Sequence, residues 1–103
     1  MPVRIEKNKT LTTAYLSGEI DHHSSVFIRE QIDACIAKLQ PKELCLDFMA
    51  VSFMDSSGIG LVMGRYRLMN SFGGRVRVRN VSKQTMKVMR LAGIDLLAKI
   101  DCK

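Results

Sequence analysis

Four short segments of the chain are predicted to be β-strands, and in the last two the side chains alternate with a period of two, the spacing of a strand with one buried face. The four segments are residues 3–9, 11–17, 43–49 and 75–79. In the last, Arg75, Arg77 and Arg79 fall on one face and Val76 and Val78 on the other. We therefore predict a four-stranded sheet that buries one face, with both valines buried and the three arginines facing solvent.

Between these strands, apolar residues recur every three or four positions, which is typical of helices that bury one side. The spacing predicts helices over residues 24–39 and 56–72, a third from the N-cap Ser82 to Gly93, and a short last helix over residues 95–99. Pro41 and the Gly73-Gly74 pair follow the first two helices as stop signals. The elements are thus predicted in the order β-β-α-β-α-β-α.

This order predicts an α/β fold in which residues 1–103 form a single domain. Two successive β-α-β units with right-handed crossovers place their helices on one face of a mixed sheet. The loops that leave the carboxyl ends of the parallel strands then share one edge, where sites in such folds usually form. We expect this arrangement to bring Glu19, Asp21 and the adjacent His22 and His23 close to the turn at residues 55–58.

Charge is distributed unevenly along the chain, whose formal net charge is +6. Residues 1–50 have six Lys/Arg against seven Asp/Glu, whereas residues 51–103 have ten against three. A basic second half indicates either an acidic partner or a solvated basic face. A nucleic-acid-binding domain is one alternative, and it would use Arg75, Arg77, Arg79, Lys83, Lys87 and Arg90. Tyr15 and Tyr66 form no aromatic row with these arginines, which disfavours a stacking platform for bases.

The cysteines and histidines indicate neither a metal site nor a cofactor. Cys35, Cys45 and Cys102 are odd in number and have no CxxC spacing, so we expect small core residues in a reducing compartment. His22 and His23 are sequence neighbours, and neighbouring side chains rarely face one metal ion. No leader peptide and no apolar run long enough to span a membrane is evident. We therefore expect a cytoplasmic protein without a membrane partner.

The turn Asp55-Ser56-Ser57-Gly58 contains the candidate chemistry. Asp55 is the predicted N-cap of the helix, its carboxylate accepting the N–H of Ser57 or Gly58. Capping alone is one interpretation. A phosphate-binding loop is a weaker one, because the motif GxxxxGK[ST] is absent. A hydrolase with Ser57 as nucleophile is also weaker, because the motif GxSxG is absent. In the remaining interpretation Ser57 is a modification site beside glycines that let another protein's active site approach. Close helix packing is the alternative role of Gly60 and its neighbour one turn along, Gly64.

Two motifs resemble the anti-sigma factor antagonists of the STAS domain family. They are GEIDHHSS at residues 18–25 and FMDSSGIGLVMGRYRLM at residues 53–69, and the similarity extends over nearly the whole chain. The resemblance implies a STAS-like fold and a function without enzymatic activity. It also implies that Ser57 is phosphorylated by an anti-sigma factor that is a serine kinase. The unphosphorylated protein would bind that kinase and free the sigma factor, and a serine phosphatase would reverse the modification.

Around the expected phosphorylation site, the candidate partner-binding residues are Asp21, Asp55, Ser56, Ser57, Gly58 and Leu61. Core packing is the alternative role of Leu61 and Met63, and helix capping is that of Asp21. Serine at position 57 favours the sporulation branch of the family, whereas the general-stress antagonists tend to have threonine there. The basic and Met-rich segments after residue 74 depart from the family pattern. No direct nucleic-acid partner is expected under this hypothesis.

Overall fold

The structure is a computed structural model that describes residues 2–103. Its five strands are β1 Val3–Glu6, β2 Leu11–Ile20, β3 Glu43–Met54, β4 Arg75–Val81 and β5 Lys99–Cys102. Its helices are α1 His22–Leu39, α2 Ser56–Asn70 and α3 Lys83–Leu91, with a 3₁₀ turn at Ile94–Leu96. The strands form one sheet in chain order, in which β1 is antiparallel to β2 and the other neighbours are parallel. The predicted mixed α/β fold is therefore confirmed.

The fifth strand was not predicted, and residues 95–99 do not form the predicted helix. After Gly93, whose φ of 80° breaks the helical path, only one 3₁₀ turn remains before the chain becomes extended. β5 then pairs with β4, Ile100 packs against the core, and the N–H of Lys103 donates to the carbonyl of Val81 at 3.0 Å. Pairing along an otherwise open sheet edge thus overrides the weak local helical preference.

β2 and β3 both continue past their predicted ends, through residues that the sequence placed in loops. Pairing between β3 and β4 ends at Asp47 and Arg79, whereas β2 and β3 stay paired as far as Ile20 and Met54. The two strands therefore project as a ribbon beyond the rest of the sheet. This ribbon leads directly into the first residues of α1 and α2.

The core lies between one face of the sheet and the helices. Every second residue of the central strands points into it, and the largest fully buried side chains include Phe48, Leu16, Ile20, Leu44 and Leu46. Val76 and Val78 are buried, as predicted. Within residues 2–103, no helix combines the length and apolar character needed to cross a membrane.

The opposite face of the sheet carries the arginines of β4. Arg75 is exposed, but Arg77 and Arg79 are only half-exposed because each forms an ion pair with β3. Arg77 lies 3.6 Å from Glu43, and Arg79 lies 2.7 Å from Asp47. The predicted solvent-facing side is therefore correct, while two of its three cations are neutralised within the fold.

Candidate functional site

The first turn of α2 is shaped by Asp55, as predicted. Asp55 adopts an extended conformation, and its Oδ1 accepts the backbone N–H of Ser57 at 2.7 Å. The N–H of Gly58 donates to the carbonyl of Asp55 at 3.0 Å. These bonds satisfy donors that have no partner inside the helix. Ser56 and Ser57 consequently lie at the helix N-terminus, where the partial positive charge of the helix dipole is located.

The start of α1 lies beside this turn. Asp21 caps α1 through a reciprocal pair of bonds, in which Ser24 N–H donates to Asp21 Oδ1 at 2.9 Å and Asp21 N–H donates to Ser24 Oγ at 3.0 Å. The bond from Ser24 lowers the pKa of the Asp21 carboxyl. The N–H of Asp55 donates to the carbonyl of Ile20 at 3.1 Å, which ties the two helix starts together. The structure thus gives Asp21 a capping role at the edge of the site.

The two adjacent serines have different surroundings. Ser56 is exposed, whereas Ser57 is half-buried and lines a cleft of about 340 Å³ between α1 and α2. The other residues that line this cleft are His22, Ser25, Val26, Arg29, Gly60, Leu61, Gly64 and Arg65. The expected approach of His22 to the serine turn is therefore present. The Ser57 side of the turn faces a defined concavity, while Ser56 faces open solvent.

Glycines form one wall of this cleft. A Cβ built on Gly60 or on Gly64 would meet no atom within 4 Å, so close helix packing does not explain either residue. Their missing side chains instead leave the cleft open along α2 below Ser57. Gly58 differs, because a Cβ there would overlap the side chain of Met54. Gly58 is therefore required by packing of the turn against the end of β3.

Leu61 belongs to the core. Its side chain is 4% exposed and packs in the main hydrophobic cluster. It also lines the cleft beside Ser57, so its role as a partner contact stays a prediction. Sequence analysis missed Phe53, which is 55% exposed immediately before the serine turn. Phe53 lies opposite Glu19 in the β2–β3 ribbon. A large aromatic residue at a strand position next to a polar partner was the available sign of this exposure.

The far end of the cleft carries a partly buried ion pair that joins the two helices. Arg65 Nε lies 2.8 Å from Asp33 Oδ1, and the Arg65 side chain is only 7% exposed. Burial raises the pKa of Asp33 and lowers the pKa of Arg65, in each case against the opposing effect of the partner's charge. Arg29 adds a second cation nearby. The residues that line the cleft are neutral or basic, although Asp33 pairs with Arg65 and Asp55 caps the turn that contains Ser57. The two arginines of the lining suit an anionic group near Ser57.

A metal centre finds no support near these residues. Across the part of the chain that the structure describes, no group of three or more His, Cys, Asp or Glu side chains is placed to hold a metal ion. The rings of His22 and His23 contact each other edge to face, with centroids 6.1 Å apart.

Comparison with known proteins shows similarity along almost the entire chain. The family model described as STAS domain matches residues 2–101. The chain is 34% identical over 94 residues to the anti-sigma F factor antagonist of Paenibacillus polymyxa, covering 91% of this chain and 80% of that protein.

Solved structures are also similar in fold and sequence. The anti-sigma factor antagonist SpoIIAA in its unphosphorylated form superimposes with a TM-score of 0.84 at 32% identity, over 98% of this chain and 88% of that one. The Bacillus cell fate determinant SpoIIAA in its phosphorylated form gives a TM-score of 0.78 at 32% identity, over 98% and 91% of the two chains. The similar structures therefore include SpoIIAA in an unphosphorylated and in a phosphorylated form.

Proposed function

The chain belongs to the STAS domain family, and we propose that it acts there as an anti-sigma factor antagonist of the SpoIIAA type. In its unphosphorylated form it binds an anti-sigma factor that is a serine kinase, and this binding releases the sigma factor for transcription. Phosphorylation of Ser57 by the same kinase ends the binding, and a serine phosphatase restores the active form. Because these partners regulate transcription, its proposed location is the cytoplasm.

The placement of Ser57 is the observation that supports this proposal most directly. Its hydroxyl lies on the first turn of α2, beside a cleft flanked by Arg29 and Arg65. A phosphate there adds about −1.5 to −2 charges and three acceptor oxygens. The helix dipole favours such an anion by roughly 0.3 to 1 kcal/mol, less some repulsion from Asp55. The fold can therefore carry the modification.

The partner interface tolerates the same charge much less well. Specific interfaces bury on the order of 800 Å² per partner. An unpaired charge buried in such a contact costs several kcal/mol, which corresponds to a loss of about a thousandfold or more in affinity. Phosphorylation can thus switch binding off while the domain stays folded.

The proposed contact surface surrounds the joined starts of α1 and α2. It includes Asp21, Asp55, Ser56, Ser57 and Gly58, with Phe53 as an exposed apolar anchor on the adjacent ribbon. Aromatic side chains are enriched among the residues that dominate binding energy at interfaces. Leu61, which is largely buried but lines the cleft, stays a candidate contact at the edge of this surface.

Three variants at the serine turn test the proposal. Ser57→Ala should fold normally, take up no phosphate and bind the kinase persistently in the presence of ATP. Ser57→Asp should bind more weakly than the unmodified protein, though incompletely so, because one carboxylate carries less charge than a phosphate. Ser56→Ala is the matched control and should still be phosphorylated on Ser57. The measurements are phosphate mapping by fragment mass and equilibrium binding to the purified kinase.

Two results would contradict the switch. One is phosphate found on Ser56 alone, since Ser57 would then not be the acceptor. The other is full affinity for the kinase after stoichiometric modification of Ser57. Covalent capture of Ser57 by a serine-directed electrophile would instead support the enzyme alternative.

A further inference from the structure

A second concavity lies away from the serine turn, between β1 and the carboxyl-terminal half of α1. Its volume is about 750 Å³, within the range of about 300 to 1,000 Å³ that is usual for small-molecule sites. β1 is an edge strand, and α1 packs more extensively over β2 than over β1. The inner side of the edge strand is therefore incompletely covered, which leaves the groove.

Half of the residues that line this groove are apolar. Val3 and Ile5 contribute from β1, and Ala34, Cys35 and Leu39 contribute from α1. Cys35 is a free thiol that is 7% exposed, and Val3 is similarly buried. An alkyl chain placed along these residues would remove apolar surface from water on both sides of the groove.

The rim of the groove is cationic. Lys7 and Lys9 follow β1, Lys38 lies in the last turn of α1, and no acidic residue is among the groove's lining residues. Within residues 2–103, none of these three ammonium groups lies within ion-pair distance of a carboxylate. By contrast, Arg65, Arg77 and Arg79 all pair within the fold. Asn8 and Gln31 add neutral polar groups beside the lysines.

We propose that this groove binds a fatty acid, with the alkyl chain between β1 and α1 and the carboxylate at the lysine rim. Apolar walls joined to a few converging polar groups are typical of ligand sites, and the unpaired cations select an anionic head group. The site is separate from the serine turn, because it uses the last turns of α1 whereas Ser57 faces the first turn.

Cys35 provides a direct measure of occupancy. Dodecanoate should slow alkylation of Cys35 about tenfold at a ligand concentration ten times Kd, since only ligand-free molecules react. Cys102 is exposed and outside the groove, so its alkylation rate is the internal control and should not change. Dodecanol, which has the same chain without the carboxylate, should protect Cys35 far less.

Matched variants locate the site. Ala34→Trp should fill the groove and abolish binding of dodecanoate, which calorimetry measures. Ala37→Trp, on the same helix but outside the groove, should leave binding intact. Both alanines are exposed, so the fold should accept each change. Lys38→Gln should weaken binding, and Lys42→Gln, which lies outside the groove, should leave it unchanged.

Several outcomes would overturn this assignment. Equal protection of Cys35 by dodecanol would show that the lysines do not recognise a carboxylate. Undiminished binding in Ala34→Trp would place the ligand elsewhere, and no protection by dodecanoate would leave the groove without the proposed ligand. Protection by a short polyglutamate peptide, but not by dodecanoate, would assign the groove to an acidic polypeptide instead.

Discussion

At the scale of single residues, Asp47 is a buried carboxylate on the sheet face that carries the arginines of β4. Its carboxylate accepts bonds from Arg79 Nε at 2.7 Å, from Asn80 Nδ2 at 3.0 Å and from the N–H of Met49 at 2.9 Å. Burial raises the pKa of Asp47, but these bonds outweigh burial and hold the pKa below its usual value. Arg79 in turn contacts Tyr15, which links three strands.

We predict that Asp47→Asn lowers the free energy of unfolding at pH 7 by roughly 1 to 3 kcal/mol, because it leaves a half-buried Arg79 without its counter-charge. A carboxyl whose pKa is lowered by folding stabilises the fold at pH values above its pKa in the unfolded chain, which is about 3.9. This stabilisation is lost as the pH falls through the pKa of the carboxyl in the folded protein. As the pH falls below about 5, the free energy of unfolding should therefore decrease less in Asp47→Asn than in the natural chain. Urea unfolding across this pH range measures both effects.

Glu43→Gln is the matched control for Asp47→Asn. Its partner Arg77 lies 3.6 Å away and is more exposed than Arg79, so Glu43→Gln should lose less stability than Asp47→Asn. The same loss of stability and the same pH profile in both variants would show that the three bonds to Asp47 stabilise the fold no more than the Glu43–Arg77 pair does.

The sequence permitted prediction of local polar roles but not of roles that depend on strand register. Asp55 could be assigned as a cap because its bond partner is two residues away. The bonds of Asp47 with Arg79 and Asn80 join residues 32 and 33 positions apart, and they exist because Asp47 and Arg79 are opposite each other in β3 and β4. A shift of one residue in that pairing would turn one of the two side chains to the other face of the sheet and separate them.

At the scale of elements, long periodic segments were predicted well and their ends were not. All three main helices and four of the five strands are present near their predicted positions. β2 and β3 extend because each supplies the other's backbone partners, and β5 forms because β4 has a free edge. Such pairings involve distant residues, so no local pattern indicates them. The cleft between α1 and α2 likewise depends on where two helices meet.

The glycines of α2 should show a conflict between stability and function. Gly60→Ala and Gly64→Ala meet no atom in the fold, so each should raise the free energy of unfolding by about 0.5 to 1 kcal/mol. Each added methyl group also narrows the cleft beside Ser57, so phosphorylation by the kinase should slow. Thermal unfolding and the initial rate of phosphate incorporation measure the two effects.

Gly58→Ala is the control for these helix substitutions. Its Cβ would overlap Met54, so this variant should be destabilised even though alanine favours helices. Stabilised Gly60 and Gly64 variants that are phosphorylated at the natural rate would show that the kinase does not use the cleft.

At the scale of the whole molecule, the uneven charge along the chain is partly resolved by folding. Three ion pairs join a basic residue of the second half to an acidic residue of the first: Arg65 with Asp33, Arg77 with Glu43, and Arg79 with Asp47. Two of the arginines counted for a nucleic-acid surface are therefore already paired. The cations of α3, Lys83, Lys87 and Arg90, remain exposed.

The final prediction concerns how the whole domain responds to phosphorylation of Ser57. The added charge lies at the start of α2 and outside the core, so unfolding should remain a single cooperative transition. Phosphorylation should change the free energy of unfolding by no more than about 1 kcal/mol. The increase should be larger at low than at high ionic strength, because ions screen the helix dipole. Urea unfolding of both forms at low and high ionic strength measures this, and kinase affinity is measured on the same samples. A loss of stability of several kcal/mol on phosphorylation would mean that binding ends because the domain unfolds, and would contradict a charge switch at an intact surface.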